Sequence, residues 1–302
     1  MTATPAAASP RQAIILLGAA AALILWSGTA IANKIAVGHM DAMTAGILRS
    51  MLAGLIAAAI AATVRLPLPG NRAQWALLVI SGITSFAIWP TMLSLGLGRT
   101  SASHAALIMA MIPAFTGLIA AAFERRRPPA AWWIGGVVAI VGTAALVSYR
   151  GGGLDNGDAT LGGDLIILSG VAICALGYVA GGRLSPVLGT WSTTFWGLAI
   201  ATGVLVPSFL WRAGETDWAA VSAPGWAAIA YLTIGSSLVG YALWFWSLGR
   251  GGIARIGALQ FTQPVMTLVL AVPILGERLT LPLVLSGAVI LVGVAITQRQ
   301  GR

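Results

Sequence analysis

The sequence predicts an all-α polytopic membrane protein with ten transmembrane helices in two inverted five-helix repeats. Of 302 residues, 58% are hydrophobic and 8% are charged, with a mean hydropathy of +0.91, whereas soluble domains carry about 25% charged residues. Five features of the first half also recur in the second half at one constant offset of 151 positions. The pairs are Trp75 and Trp226, Leu97-Gly98-Arg99 and Leu248-Gly249-Arg250, Pro113 and Pro264, Gly136 and Gly287, and Gly142 and Gly293.

Ten apolar windows are long enough to span a bilayer, which takes about 20 mostly apolar residues. A β-strand interpretation fails because the runs are too long and show no alternation. Five helices per half is an odd number of crossings, so the second copy is expected to lie upside down relative to the first. The windows cover approximately residues 13–36, 43–64, 73–95, 101–123, 130–149, 162–183, 190–211, 225–248, 252–275 and 281–298.

The predicted domain boundaries follow from composition. Residues 1–12, rich in Ala, Pro, Ser and Thr, predict a disordered cytoplasmic tail. Residues 13–149 form the first repeat and residues 162–302 the second. Between them, residues 150–161 contain Gly-Gly-Gly and Asp-Asn-Gly-Asp turns and predict a periplasmic linker. A cleaved signal peptide at the start is disfavoured, because nine similar apolar segments follow the first one.

The orientation is predicted from the basic residues of the loops. One side of the predicted bundle holds eleven Lys and Arg residues and the other side holds five, while seven of the eight acidic residues fall on the poorer side. The basic side of a membrane protein is cytoplasmic. Both termini are therefore expected in the cytoplasm, with the chain crossing a bacterial inner membrane.

Four short motifs occur in a fixed order along the chain. They are Trp26-Ser27-Gly28 with Asn33-Lys34 in helix 1, Leu97-Gly98-Arg99 before helix 4, the prolines 113 and 264, and Leu275-Gly276-Glu277-Arg278 after helix 9. In this order, and doubled as they are, they resemble the drug/metabolite transporter superfamily in its EamA-type branch. The chain departs from the family pattern at Glu124, which lacks the Gly that precedes Glu277.

This resemblance implies a ten-helix bundle that works by alternating access around a midplane cavity, lined chiefly by helices 1, 3, 4, 6, 8 and 9. It also implies a secondary transporter that exports small amphipathic metabolites. Amino acids are the first expectation, with aromatic ones favoured, as in the bacterial aromatic amino acid exporters. Export of other metabolites or drugs, and a channel-like facilitator, are the alternatives.

Helices 4 and 9 carry the most informative candidate site. Met109 and Ile112 in helix 4 correspond to Gln260 and Gln263 in helix 9, so a site between them would have an apolar wall and a polar wall. Such a site suits an amphipathic solute. A glutamine that faced lipid would leave its amide without hydrogen bonds, at a cost in free energy. Two interpretations of these glutamines stay open, cavity lining and interhelical hydrogen bonding.

Prolines within these helices are candidate gating or helix-break positions, because proline removes a backbone hydrogen bond. They are Pro113 and Pro264. Other deep side chains complete the candidate substrate-binding set, and packing is an equally good explanation for each. They are Trp26, Ser85, Trp89, Tyr178, Ser237, Tyr241 and Trp244.

Two ionisable residues are candidates for function. His104 at the start of helix 4 is a candidate protonation site, with an ordinary interfacial histidine as the alternative. Arg49 lies almost two turns into helix 2, where charged residues are usually functional; its alternative is snorkelling toward Asp41. Because no Asp or Glu falls at mid-membrane and the chain has no P-loop, transport is expected to run down the substrate gradient without sodium or ATP. Proton coupling through His104 stays open.

Several classes are excluded by missing motifs. The sequence contains no P-loop, no hydrolase motif and no Cys/His cluster. We therefore predict that the protein is not an enzyme and binds no cofactor and no metal. Its basic residues are scattered in short loops, so we also predict no nucleic-acid partner. The expected partners are a small-molecule substrate and membrane lipid, and a monomer is consistent with the sequence.

Overall fold

A computed structural model describes residues 10–125, 127–149, 159–251 and 259–298, and every regular element in these ranges is helical. Two π-helical segments, Gly82–Ile88 and Tyr231–Gly240, join α3 to α4 and α10 to α11, and a 3-10 turn, Leu259–Thr262, precedes α12. The α-helices are α1 (Pro10–His39), α2 (Ala42–Thr63), α3 (Arg72–Ser81), α4 (Trp89–Leu97), α5 (Ala102–Met109), α6 (Ile112–Phe123), α7 (Ala130–Ser148), α8 (Leu161–Leu188), α9 (Thr190–Glu215), α10 (Ala223–Ala230), α11 (Tyr241–Gly251), α12 (Gln263–Leu275) and α13 (Leu281–Gln298).

The helices have the length and composition of membrane spans. Eight stretches within the described ranges are long and apolar enough to cross a bilayer, and Gln263–Leu275 and Leu281–Ile296 are shorter apolar helices. The predicted class, an all-helical multi-pass membrane protein, is confirmed. The ninth predicted window begins with residues 252–258, which lie outside the described residues.

The chain termini differ in part from the prediction. Helix α1 begins at Pro10, inside the segment 1–12 that composition assigned to a disordered tail. A proline is well suited to the first turn of a helix, where its missing N–H has no intrahelical acceptor. Residues 1–9 of the tail and residues 150–158 of the linker lie outside the described residues.

Helices α2 and α9, which occupy equivalent places in the two halves, pack closely and run antiparallel. Thr202 Oγ1 donates a hydrogen bond to the Met51 carbonyl at 3.1 Å. Nearer the start of α2, Thr44 Oγ1 lies 3.4 Å from Thr216 Oγ1, just past the end of α9. Further along α2, a Cβ added to Gly54 would collide with both Thr202 and Leu198. The contact partner moves back along α9 as the chain moves forward along α2, which defines the antiparallel direction. Met51 and Thr202 are themselves separated by the repeat offset.

Helices α7 and α13 show the same relationship. A Cβ on Gly142 would lie 2.8 Å from the Ile290 nitrogen, and a Cβ on Gly293 would lie 2.7 Å from the Gly135 carbonyl. Only glycine permits backbones to approach so closely. Because Gly142 and Gly293 are repeat partners, each half contributes the same residue to this contact.

Other helix contacts join the first half of the chain to the second. Helix α1 packs against α10, α11 and the π-helical segment that joins them, while α8 packs against α3, α4 and their joining π-helical segment. The first helix of each half therefore packs on the third span of the other half. This arrangement places residues of both halves around a common centre.

Candidate functional site

An aromatic cluster lies near the middle of the helices that meet at this centre. The rings of Trp26 and Tyr241 pack edge to face with centroids 5.1 Å apart, and Trp26 also contacts Trp244 at 5.2 Å. The Phe86 ring also packs edge to face on Tyr241, with centroids 5.7 Å apart. The Trp26 indole Nε1 donates to the Ser236 carbonyl at 3.0 Å, which fixes the ring orientation. Both halves contribute to this aromatic cluster, which consists of Trp26, Phe86, Tyr241 and Trp244.

A second group of polar side chains adjoins the cluster through Tyr241. The half-buried Tyr178 of α8 interacts with Tyr241 and with Cys174. Ser85 Oγ, from the π-helical segment before α4, donates to the Cys174 carbonyl at 3.4 Å. The structure therefore brings Trp26, Ser85, Tyr178, Tyr241 and Trp244 of the predicted set into one region.

Two other predicted residues have local contacts. Trp89 is buried, and a Cβ on Gly170 of α8 would lie 3.0 Å from its ring, so this ring fills the space between α4 and α8. Ser237 Oγ donates to the Leu232 carbonyl at 2.8 Å within its own π-helical segment. These contacts correspond to the packing explanation that the sequence left open.

The two prolines occupy equivalent positions at helix breaks. Helix α5 ends at Met109, and α6 begins at Ile112 with Pro113 in its first turn. Pro264 likewise lies in the first turn of α12, directly after a 3-10 turn. Met109, Ile112 and Pro113 are each half-buried. Each half therefore contains one interrupted helix with its proline immediately after the interruption.

Gln263 forms interhelical contacts with α1. Its Nε2 lies 3.5 Å from the Trp26 carbonyl, and its own carbonyl accepts from Ser27 Oγ at 3.3 Å. Thr267 Oγ1 donates to the Ser27 carbonyl at 2.9 Å. The polar face of α12 thus borders the aromatic cluster through the backbone of α1. The side chain of Gln260 lies outside the described residues.

His104 belongs to a buried polar network at one end of the bundle. Its Nδ1 lies 3.0 Å from Asp164 Oδ2, and Thr100 Oγ1 donates to Asp164 Oδ1 at 2.6 Å. His104 and Asp164 are 4% and 1% exposed, so neither is an ordinary interfacial side chain. Lys34 Nζ donates to the carbonyls of Leu97 and Thr100 at 3.0 and 2.9 Å.

Glu277 links the second half to the same end. Its carboxylate accepts from the backbone nitrogens of Ala102 at 2.7 Å and Ser103 at 3.0 Å, and also from Ser103 Oγ. Ser101 Oγ accepts from His104 N at 3.1 Å. The first N–H groups of α5 are therefore satisfied, and a negative charge lies at the positive end of the helix dipole.

Arg49 does not reach Asp41. Asp41 Oδ1 lies 2.7 Å from Arg212 Nη2 in an ion pair. Partial burial alone would raise the pKa of the Asp41 carboxyl, but hydrogen bonds from Thr44 and Arg212 and the Arg212 charge lower it below its ordinary value. Arg49 is buried, with 6% of its surface exposed, and its Nε and Nη1 have no hydrogen-bond partner among the described residues.

Two buried polar contacts were not anticipated from the sequence. Asp164 is one of the seven acidic residues on the side of the predicted bundle that is poorer in Lys and Arg, and the sequence indicates no partner for His104. A signal existed, because Asp164 falls inside an apolar window where an acidic residue is unusual. The role of Glu277 as a cap for a helix of the other half depends on tertiary contact, which no local pattern encodes. Within the described residues, no group of three His, Cys, Asp or Glu side chains could hold a metal ion.

Comparison with known proteins agrees with this architecture. The model of the EamA-like transporter family matches the chain twice, at residues 13–148 and 161–299. The uncharacterized transporter YdeK of Bacillus subtilis is 28% identical over 284 residues, covering 92% of this chain and 94% of YdeK. The uncharacterized inner membrane transporter YedA of Escherichia coli K12 is 25% identical, covering 89% and 86%.

A solved crystal structure shares the fold. It superposes with a TM-score of 0.62 at 20% identity, and the match covers 93% of this chain and 95% of the other. The family match extends over nearly all of the chain and its relatives are named as transporters, not enzymes. The chain is therefore a multi-pass membrane protein that belongs to the EamA-like transporter family.

Proposed function

We propose that the protein is a secondary transporter that exports small amphipathic metabolites by alternating access, with amino acids, and aromatic ones above all, as substrates. The observation that carries this proposal is the aromatic cluster. Its rings come from both halves, near the middle of their helices. Aromatic side chains bind apolar and aromatic groups through offset and edge-to-face contacts.

The proposed site has one polar and one apolar side. Gln263 and Thr267 supply polar groups on α12, while Met109 and Ile112 supply apolar surface on α5 and α6. Gln260 belongs to the proposed polar side by its place in the repeat. Pro113 and Pro264, at the equivalent helix breaks, are the proposed hinges.

The transport proposal is tested with purified protein in liposomes. Radiolabelled phenylalanine is expected to show saturable uptake, to be competed by tryptophan and tyrosine more than by alanine, and to show counterflow. Trp26→Ala should weaken phenylalanine affinity by up to about tenfold, since an aromatic pair contributes about 0.5–1.5 kcal/mol beyond its buried area.

Trp133→Ala is the matched control. This tryptophan belongs to α7, is 53% exposed and is not part of the aromatic cluster. Linear flux without counterflow would indicate a channel instead. Equal affinity in the Trp26 and Trp133 variants would move the site away from the aromatic cluster.

The proposed topology has ten helices in two inverted halves, residues 13–149 and 162–302, with both termini in the cytoplasm. It is supported by the antiparallel packing of the repeat-equivalent pairs α2 and α9, and α7 and α13. The excess of Lys and Arg near Arg127 supports the orientation. The relative YedA, described as an inner membrane transporter, supports the location.

Site-directed labelling checks this orientation. In a Cys174→Ala background, Asp217→Cys is expected to react with an impermeant maleimide in intact cells, because residue 217 lies outside. Arg127→Cys should react only after the cells have been permeabilised. Both parent residues are exposed, so reagent access is not limited by burial. Labelling of both positions in intact cells would contradict the inverted topology.

A further inference from the structure

Arg49 is a buried ionisable side chain whose position is not explained by its contacts with the described residues. It is a residue of α2 with 6% of its surface exposed, and its Nε and Nη1 lack hydrogen-bond partners among the described residues. A buried polar atom without a partner is rare in native proteins and requires a reason. A guanidinium is a particularly costly case, because it remains charged within the membrane.

Among the described residues, no neighbouring group accepts a hydrogen bond from Nε or Nη1 of this guanidinium. The charged group is within electrostatic range of Tyr241, but a single hydroxyl cannot accept from the five N–H donors of an arginine. Asp41, the carboxylate closest in the chain, is paired with Arg212 at 2.7 Å. Asp164 and Glu277 are engaged by side chains and backbone at the start of α5.

The location of Arg49 connects it to the aromatic cluster. Tyr241, the residue within its electrostatic range, is also the ring that packs on both Trp26 and Phe86. The α2 backbone is held beside the same segment, since Thr233 Oγ1 donates to the Arg49 carbonyl at 3.5 Å. A buried positive charge therefore adjoins the aromatic surface proposed above for the apolar part of a substrate.

We propose that Arg49 binds a carboxylate of the transported substrate, so that the substrates are small carboxylates with an aromatic or large apolar group. This inference rests on the proposed function and narrows its substrate class. The planar guanidinium matches a carboxylate with two parallel hydrogen bonds. Gln263, whose Nε2 lies 3.5 Å from the Trp26 carbonyl, then has a supporting role, and Arg49 provides the main polar contact.

The binding test uses purified protein in detergent and three probes with the same ring. Phenylacetate has a carboxylate and no amine, phenylethylamine has an amine and no carboxylate, and phenylalanine has both. Ligand-induced shifts of the melting temperature should appear with phenylacetate and phenylalanine but not with phenylethylamine. In Arg49→Gln, affinity for both carboxylates should fall roughly ten- to a hundredfold, as expected for losing a hydrogen bond to a charged group.

Two further variants separate binding from folding. Arg49→Lys keeps the positive charge but loses the planar pair of N–H donors that binds both oxygens of a carboxylate. This variant should bind phenylacetate with intermediate affinity. Arg72→Gln removes an exposed arginine of the first half and should bind like the wild type. Without ligand, Arg49→Gln should melt at or above the wild-type temperature, because an uncompensated buried charge is removed. A lower melting temperature with unchanged carboxylate affinity would assign Arg49 a structural role and overturn the proposal.

Flux measurements in liposomes distinguish failure of this inference from failure of the proposed function. If amino acids are transported but phenylethylamine competes as well as phenylacetate, the carboxylate site is wrong and the transport proposal stands. If phenylacetate binds in an Arg49-dependent manner and no amino acid is transported, the carboxylate site stands and the amino-acid substrate is wrong.

Discussion

Replacing Glu277 with alanine is expected to cause a large loss of stability. The carboxylate accepts from two backbone nitrogens at the start of α5 and from Ser103 Oγ, and its side chain is buried at 7% exposure. A buried donor without an acceptor costs about 1–3 kcal/mol. With three donors affected, Glu277→Ala should lose about 3 kcal/mol or more.

The measurement is the melting temperature of purified protein in detergent, followed by tryptophan fluorescence, with the yield of monodisperse protein as a second readout. Glu277→Gln keeps one acceptor oxygen and should lie between wild type and Glu277→Ala. Glu215→Ala is the control, because that carboxylate is half exposed and forms only a surface pair with Arg212. A Glu277→Ala melting temperature equal to the control value would show that the cap contributes little.

The sequence was sufficient to predict the all-helical, multi-pass membrane class of the fold because this class depends on composition and periodicity. Long apolar runs locate spans, and the offset of 151 positions locates equivalent residues. The family match at residues 13–148 and 161–299 supports the two-copy organisation. Helix interruptions near Pro113 and Pro264 were also accessible from sequence, because proline lacks the N–H that a continuous helix needs.

The two halves differ in residue type, but not in backbone conformation, where helix α6 and helix α12 end. In sequence, Glu124 departs from the family pattern, because no Gly precedes it as Gly276 precedes Glu277. In the structure Arg125 has φ 51° and Gly276 has φ 71°, and the repeat offset makes these two positions equivalent. The first half thus keeps the left-handed turn that ends the helix with a residue for which it is unfavourable. The backbone geometry is shared although the residue type is not.

The candidate site was predictable only in part, because burial and pairing are tertiary properties. Deep aromatic residues such as Trp26 and Tyr241 were identifiable from their positions within apolar windows. Whether Arg49 reached Asp41 could not be decided, since that depended on Arg212, a residue 163 positions further along the chain. The pairing of His104 with Asp164 likewise joins α5 to α8, and its partners are 60 positions apart.

Breaking the contact between His104 and Asp164 is expected to produce the second large effect. Both side chains are buried, and Asp164 is held by Thr100 Oγ1 at 2.6 Å as well as by His104 Nδ1 at 3.0 Å. His104→Ala leaves a buried carboxylate with one of its partners missing, and Asp164→Ala removes the acceptor of both groups. Leaving a buried polar group without its hydrogen-bond partner costs about 1–3 kcal/mol, so each single variant should lose an amount toward the upper end of this range.

A double-mutant cycle measures the contact itself. If the two side chains stabilise each other, the combined His104→Ala and Asp164→Ala variant will be more stable than the sum of the two losses predicts. A hydrogen bond to a charged group contributes about 1.5–3 kcal/mol, and the coupling energy should fall in that range. The cycle is measured by denaturation in detergent, with Asp217→Ala as the control for loss of an exposed acidic residue. Additive losses, with no coupling energy, would show that His104 and Asp164 contribute independently to stability.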